Sequence, residues 1–385
     1  MPSVGPRVDY TRAARATLKA MRGAAFALLL LPSLAAAAPP TIDVYTMGAG
    51  DDLFSAFGHA AICVSDDATP RGRCYNYGTA DFTTPVPLTW DFIRGRARFW
   101  VSVADLPWML QYYVANGRAV WRQTLALDDA AAQRISVALA INSDERNRYY
   151  RYHHFDDNCT TRIRDLVDRE TGGALSRDRT LGGPTFRQWA RQGFAGDVAL
   201  QAVVELFLGR SSDRHTDSWS AQFLPSELRR QLAERLHAPP VLVVPGRPRP
   251  PPGALWLGRA AFPIVGALLA LLVLVARKRP RAALVVVALV LGLLGAILWL
   301  LAALSTFPGL TRNELLLVFL PTDLLLPVFD RLGRARWLGR YANARVVGLG
   351  LVVLLRLAGI FAQPLWPLLL ALSPLVAIGT SSRPE

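Results

Sequence analysis

The chain has 385 residues, 52% of them hydrophobic, and a mean hydropathy of +0.24, which argues against a wholly soluble protein. Its formal charge of +14 is unevenly spread: five Lys/Arg against one acidic residue give +4 in 1–38, thirteen against four give +9 in 254–385, and 39–253 keeps +1. A near-neutral middle between basic, apolar ends fits targeting and membrane topology and sets nucleic acid aside as a partner.

Residues 1–38 read as a signal peptide: Arg12, Arg15, Lys19 and Arg22 precede an apolar core from Ala24 to Ala38, with Ala35 and Ala37 in an A-x-A arrangement. Cleavage is expected near Ala37 or Ala38. An uncleaved anchor is the alternative, and Met21 is a second candidate start. Export puts the segment that follows in an oxidising compartment.

Residues 39–238 read as one α+β domain, strands first and helices after. TIDVYTM, HAAICVSD and RCYNYG alternate as strands, the last two forming a hairpin across Asp66 to Gly72. Helical patterns begin after Asp91 and run over Leu106–Val114, Asp128–Ile141, Asn158–Arg169 and Leu228–Leu236. The proline-rich stretch 239–253 reads as a stiff linker.

Residues 254–385 read as an all-α bundle of about five membrane spans, at 260–276, 282–305, 313–329, 346–361 and 365–379. Basic loops at 277–281 and 331–345 follow the first and third spans, so the positive-inside rule places the middle domain outside and the C-terminus in the cytoplasm. Asp323 and Arg356 each fall about 15 Å into a core about 30 Å thick, counted from Asn313 and Arg345. They are expected to pair; the alternative has Arg356 snorkelling to a phosphate and Asp323 at a broken-helix end.

The three cysteines divide into a pair and an odd one. Cys63 and Cys74 fit across the hairpin, as a disulfide or as two buried thiols, and export favours the disulfide. Cys159 remains, in DDNCTTRIRDL, where Asn158 is a good helix cap and a first-turn sulfur is favoured as thiolate. Of the histidines, His215 and His237 lie in polar stretches and His153 and His154 precede the turn into the helix, which leaves His59, at a strand start, as the better base. With Cys63 opposite Cys74, Ala61 faces Asn76 and His59 faces Gly78, so Asn76 shares the face of His59 one diagonal step away. A Cys–His pair oriented by an amide is the arrangement of thiol acyl-transfer enzymes; a buried structural Cys with a strand-end His is the plainer alternative.

The runs GAGDDLFSAFGHAAI, YNYGTADF, RYYRYHHFDDNCTTRIRDL and LGRSSDRHTDSWSAQFLP resemble the periplasmic domain of Lnb-type bacterial lipoprotein N-acyltransferases over roughly 41–230, and LLLVFLPTDLLLP in the membrane half also looks familial. The resemblance implies a permuted papain-like thiol fold with His59 and Cys159 as the catalytic pair. It further implies a bacterial inner-membrane enzyme with a periplasmic catalytic domain, a phospholipid acyl donor and a lipoprotein acceptor. Asn76 lies within the matching YNYG motif, its role resting on the register. His153 and His154 depart from the acidic or aromatic pair of relatives. Asn158 is placed with Arg162 as substrate-binding; for Arg162 the alternative is an ion pair to Asp165 or Asp157. Aromatics from Trp90 to Trp121 fit core packing or a lipid-facing surface. No metal-ligand spacing and no complete phosphate loop is found, so no cofactor is implied. The rival functions are a cell-wall cysteine peptidase or amidase and a non-catalytic membrane assembly factor.

Overall fold

The computed structural model describes residues 38–52, 54–67, 69–248, 253–276 and 280–381. The expected signal peptide lies outside them, apart from Ala38. The N-terminal half is built on a seven-stranded antiparallel sheet of order β6-β4-β3-β2-β1-β5-β7. Its strands are β1 (Thr41–Met47), β2 (His59–Ser65), β3 (Arg73–Thr79), β4 (Arg98–Asp105), β5 (Val120–Thr124), β6 (Tyr149–Arg151) and β7 (Val241–Val244). The helices among them are α1 (Pro85–Ile93), α2 (Leu106–Ala115), α3 (Asp129–Ser143), α4 (Cys159–Glu170), α5 (Phe186–Gly193), α6 (Val198–Phe207) and α7 (Pro225–Arg235).

Alternation along the strands separates two cores. Ile42, Val44, Ala60, Ile62 and Tyr77 face Ile135 and Leu139 of α3, Ile163 and Val167 of α4, and Leu228 and Leu232 of α7. Tyr45, Met47, Ala61, Cys63 and Cys74 face Met109 and Tyr113 of α2. Four strands, β4, β5, β6 and β7, lie outside the sequence expectation. RFWVSVAD, within the stretch read as helical, is β4, because its alternate residues Phe99 and Val101 enter the first core. VLVV, within the expected linker, is the edge strand β7 on β5: its β-branched residues lie between Pro240 and Pro245, where an edge strand tolerates flanking proline.

The C-terminal half is helical: α8 (Leu257–Val275), α9 (Pro280–Leu304), the short α10 (Pro308–Thr311) and α11 (Leu326–Arg331), α12 (Ala335–Leu357) and α13 (Leu368–Ser381). Three of these, α8, α9 and α12, are long and apolar enough to cross a membrane. The expected third span is not one helix. Residues 313–329 form the 3-10 turns Glu314–Leu316 and Pro321–Leu325 and then α11, since Pro321 and Pro327 each remove a backbone donor. The fourth span starts earlier than expected, at Ala335, and takes Arg336, Arg340 and Arg345 into the helix.

That early start overturns the expected Asp323–Arg356 pair. Arg345 lies inside α12, and its Nε and Nη2 hold Asp323 Oδ1 and Oδ2, each at 2.9 Å. Tyr341 Oη donates to Asp323 Oδ1 at 2.7 Å, and Arg345 Nη2 also reaches the Val318 carbonyl at 2.6 Å. Arg356, in the last turn of α12, donates to the Gln363 carbonyl at 3.2 Å.

The two halves interlock. Gly209 N donates to Gly309 O at 2.6 Å, and Asn313 Nδ2 donates to Leu206 O at 2.7 Å. Buried Glu205 of α6 receives Arg259 of α8 at 2.7 Å. The end of α1 is fastened to the end of α9, Ser305 Oγ donating to Ile93 O at 2.5 Å and Thr306 N to Arg94 O at 3.3 Å.

Candidate active site

The site forms where β2 begins, β3 ends and the N-terminus of α4 meets the sheet. The FGH sequence makes the turn into β2: Gly58 has φ +89°, and a Cβ there would lie 2.5 Å from the Met47 carbonyl. His59 follows as the first residue of β2. The β2–β3 ladder contains Ile62↔Tyr75, Cys63↔Cys74 and Val64↔Arg73. Cys63 and Cys74, opposite each other, are joined by a disulfide with an S–S distance of 2.04 Å. The expected opposition of Ala61 and Asn76 is not part of that ladder, because β3 is bulged against β4 between Asn76 and Thr79. Asn76 still reaches His59, its Oδ1 lying 3.3 Å from Nε2. With Nε2–H donating to Asn76, Nδ1 is the ring nitrogen left to exchange a proton with the thiol.

Cys159 is the first residue of α4 and is 7% exposed. Its helix start is fixed by Asn158, whose Oδ1 accepts from the amides of Thr160 and Thr161, each at 2.9 Å, while Thr161 Oγ1 accepts from Asn158 N at 2.8 Å. Gly78, with φ +80°, lets the end of β3 pack closely on the start of α4: a Cβ there would lie 3.3 Å from Cys159 Cβ. Burial pushes the Cys159 thiol up, but the charge of His59 and hydrogen bonds to His59, the Thr160 hydroxyl and the Ala60 amide prevail and lower it to about 7. Half of such thiols are thiolate near neutral pH.

The substrate-binding expectation for Asn158 is corrected. Besides the two amides on Oδ1, its Nδ2 donates to the carbonyls of His154 at 2.7 Å and Phe223 at 2.9 Å, so its polar atoms are committed to the cap. Arg162 is likewise tied to Asp157, Nε to Oδ1 at 2.6 Å and Nη2 to Oδ2 at 2.8 Å, with its guanidinium 3.7 Å from the centre of the Tyr150 ring. Of its two readings the structure has the ion pair. His153 Nδ1 accepts from the Asp156 amide at 3.1 Å. His154 packs among Phe57, Phe155 and Phe223, and burial, helped by His153, lowers it to about 4, which keeps it neutral near pH 7.

Sequence reasoning missed Thr160, whose hydroxyl is 3.6 Å from the sulfur, and the packing of Gly78 against Cys159. Both stood in the quoted motifs; the signal was a hydroxyl directly after the cysteine and a glycine where a strand residue was due. Among the described residues no group of three or more His, Cys, Asp or Glu is placed to hold a metal ion.

The Lnb N-terminal periplasmic domain model matches residues 35–192 and the Lnb transmembrane domain model matches residues 259–380, together more than half of the chain. The chain belongs to the Lnb family. It is a membrane-anchored protein of the Lnb type whose N-terminal domain is periplasmic, and His59, Asn76 and Cys159 all fall within the matched periplasmic domain. No curated protein and no solved structure matches the chain.

Proposed function

We propose that this Lnb-family protein is an acyltransferase that moves an acyl chain from a membrane glycerolipid, through a thioester at Cys159, to the N-terminal amine of a lipoprotein. The observation that carries the reading is the buried Cys159 thiol lowered to about 7 beside His59, with Asn76 on the far nitrogen of the ring. In the first half-reaction the thiolate Sγ attacks an ester carbonyl carbon. The C–S bond forms, the C–O bond breaks, and the leaving glycerol oxygen takes a proton from the His59 imidazolium. In the second, the α-amine attacks the thioester carbonyl. The C–N bond forms, the C–S bond breaks, His59 takes the ammonium proton and the thiolate returns.

The cap of Asn158 on α4 gives the sulfur the positive end of a helix dipole. The membrane helices support bilayer-bound reactants, since donor and acceptor lipids then reach the thiol without crossing water. The topology that goes with this reading has the catalytic domain in the periplasm, the helices in the inner membrane and the C-terminus in the cytoplasm. The test is rescue of a bacterium lacking its lipoprotein N-acyltransferase, with mass spectrometry of a lipoprotein's N-terminal peptide. Wild-type protein is expected to add an N-acyl chain and Cys159→Ala to add none. A peptide left diacylated by wild-type protein contradicts acyl transfer, and rescue by Cys159→Ala contradicts the thiol mechanism.

A further inference from the structure

A strip of aromatic rings runs from the thiol to the end of α9. It starts at Gly78, where an added Cβ would lie 3.3 Å from Cys159 Cβ and 3.6 Å from Tyr152 Cε2, so Tyr152 is a ring that shares this glycine's surroundings with Cys159. Tyr152 leans towards Phe92 at 6.2 Å, and Phe92 faces Phe307 at 6.4 Å. Phe54 meets Phe92 edge-on at 6.3 Å and Phe82 at 5.6 Å. Phe307 follows α9 by three residues and is fixed to the periplasmic half through Ser305 and Thr306. Gly95, with φ +67°, permits that closure, because a Cβ there would lie 2.6 Å from Thr306 Oγ1.

These rings are not a sealed core. Phe82 is 49% exposed, and Phe54, Phe92, Tyr152 and Phe307 are half-buried. Leaving such surface open to water is unfavourable, and it stops being so once hydrocarbon covers it. On α1 the apolar surface continues through exposed Val86 and Trp90. One end of the strip is the outer end of a membrane helix and the other is the sulfur. A hydrocarbon chain still rooted in the bilayer can therefore lie on the rings with its carbonyl at Cys159.

We infer that this strip seats the acyl chain of the donor lipid, with Phe92 and Phe307 governing which chain lengths reach the thiol; this rests on the acyl-transfer reading. The full chain is reconstituted in bilayers holding equal amounts of a short-chain and a long-chain phosphatidylethanolamine, and the acyl groups transferred are weighed by mass spectrometry. Phe92→Trp, which fills the strip, is expected to lower the long-to-short ratio by about tenfold. Alkylation of Cys159 by iodoacetamide, which needs no seat, should keep its wild-type rate. Should Phe92→Trp lose that alkylation, Phe307→Trp takes its place at the membrane end with the same expectation. An unchanged ratio in an alkylation-competent variant overturns the seat and leaves acyl transfer standing. A wild-type protein that transfers neither chain overturns both.

Discussion

In the membrane half, Asp323 and Arg345 are buried together and bonded fully: both carboxylate oxygens face the guanidinium, Tyr341 adds a donor, and the Val318 carbonyl takes up the remaining reach of Nη2. At the end of the periplasmic sheet, Cys159 and His59 are also brought together, but only an amide oxygen, not a carboxylate, stands behind the ring. Charges neutralised in place hold helices together. A pair whose proton can move between its members is suited to chemistry.

The difference is sharpest in what loss of one partner does. His59→Ala is expected to reduce acyl transfer by about 10²–10⁴-fold. It should also move the midpoint of Cys159 alkylation upward from about 7, because burial then acts on the thiol without the imidazole that opposes it. The rate of iodoacetamide labelling across a pH series checks this. Alkylation requires thiolate, so the variant loses most at neutral and lower pH and recovers towards alkaline pH, and an unmoved midpoint contradicts the pairing.

Removing one member of the membrane pair should act on stability. Asp323→Leu or Arg345→Met is expected to destabilise by about 3–5 kcal/mol, since each leaves a charge buried without its partner. The double variant Asp323→Leu with Arg345→Met should recover most of that loss. Unfolding in detergent measures all three, and a double variant as unstable as the sum of the singles would show that the two sites act separately.

The disulfide is a smaller effect. Its cysteines are separated by 11 positions, and closing a loop of that size stabilises by about 2–3 kcal/mol in the chain-entropy account. Cys63→Ser should therefore lower the unfolding midpoint yet leave a folded domain, and the unreduced, denatured wild-type protein should show one free thiol. Smallest is Asn158→Ala, at about 1–2 kcal/mol for a lost helix cap, measured by the same unfolding experiment.

How far the sequence could be read also separates the halves. In the periplasmic domain, alternation and cap chemistry act over a few residues, so β1, β2, β3, the start of α4 and the meeting of His59, Asn76 and Cys159 were legible. The bulge after Asn76 was not, because it depends on pairing with β4, a strand whose exposed Arg98 and half-buried Trp100 disguise its buried Phe99 and Val101. In the membrane half, apolar composition says little about where a helix begins. Residues 313–329 are apolar enough to span but are broken by two prolines, and three arginines of the expected loop, Arg336, Arg340 and Arg345, lie on α12. Gly339, Ala342, Arg345, Leu349 and Val352 form one buried face of that helix, a spacing that marks Arg345 as inward-facing once the helix is extended to Ala335.

The central claim is that Cys159 carries the acyl chain, and the most direct measurement is the intact mass of the full-length protein after incubation with phospholipid bilayers lacking any acceptor. The account predicts an added mass of one acyl group, located at Cys159 by peptide mapping, removed by neutral hydroxylamine as a thioester is, and absent in Cys159→Ala. A hydroxylamine-resistant adduct, or one that persists in Cys159→Ala, would contradict it.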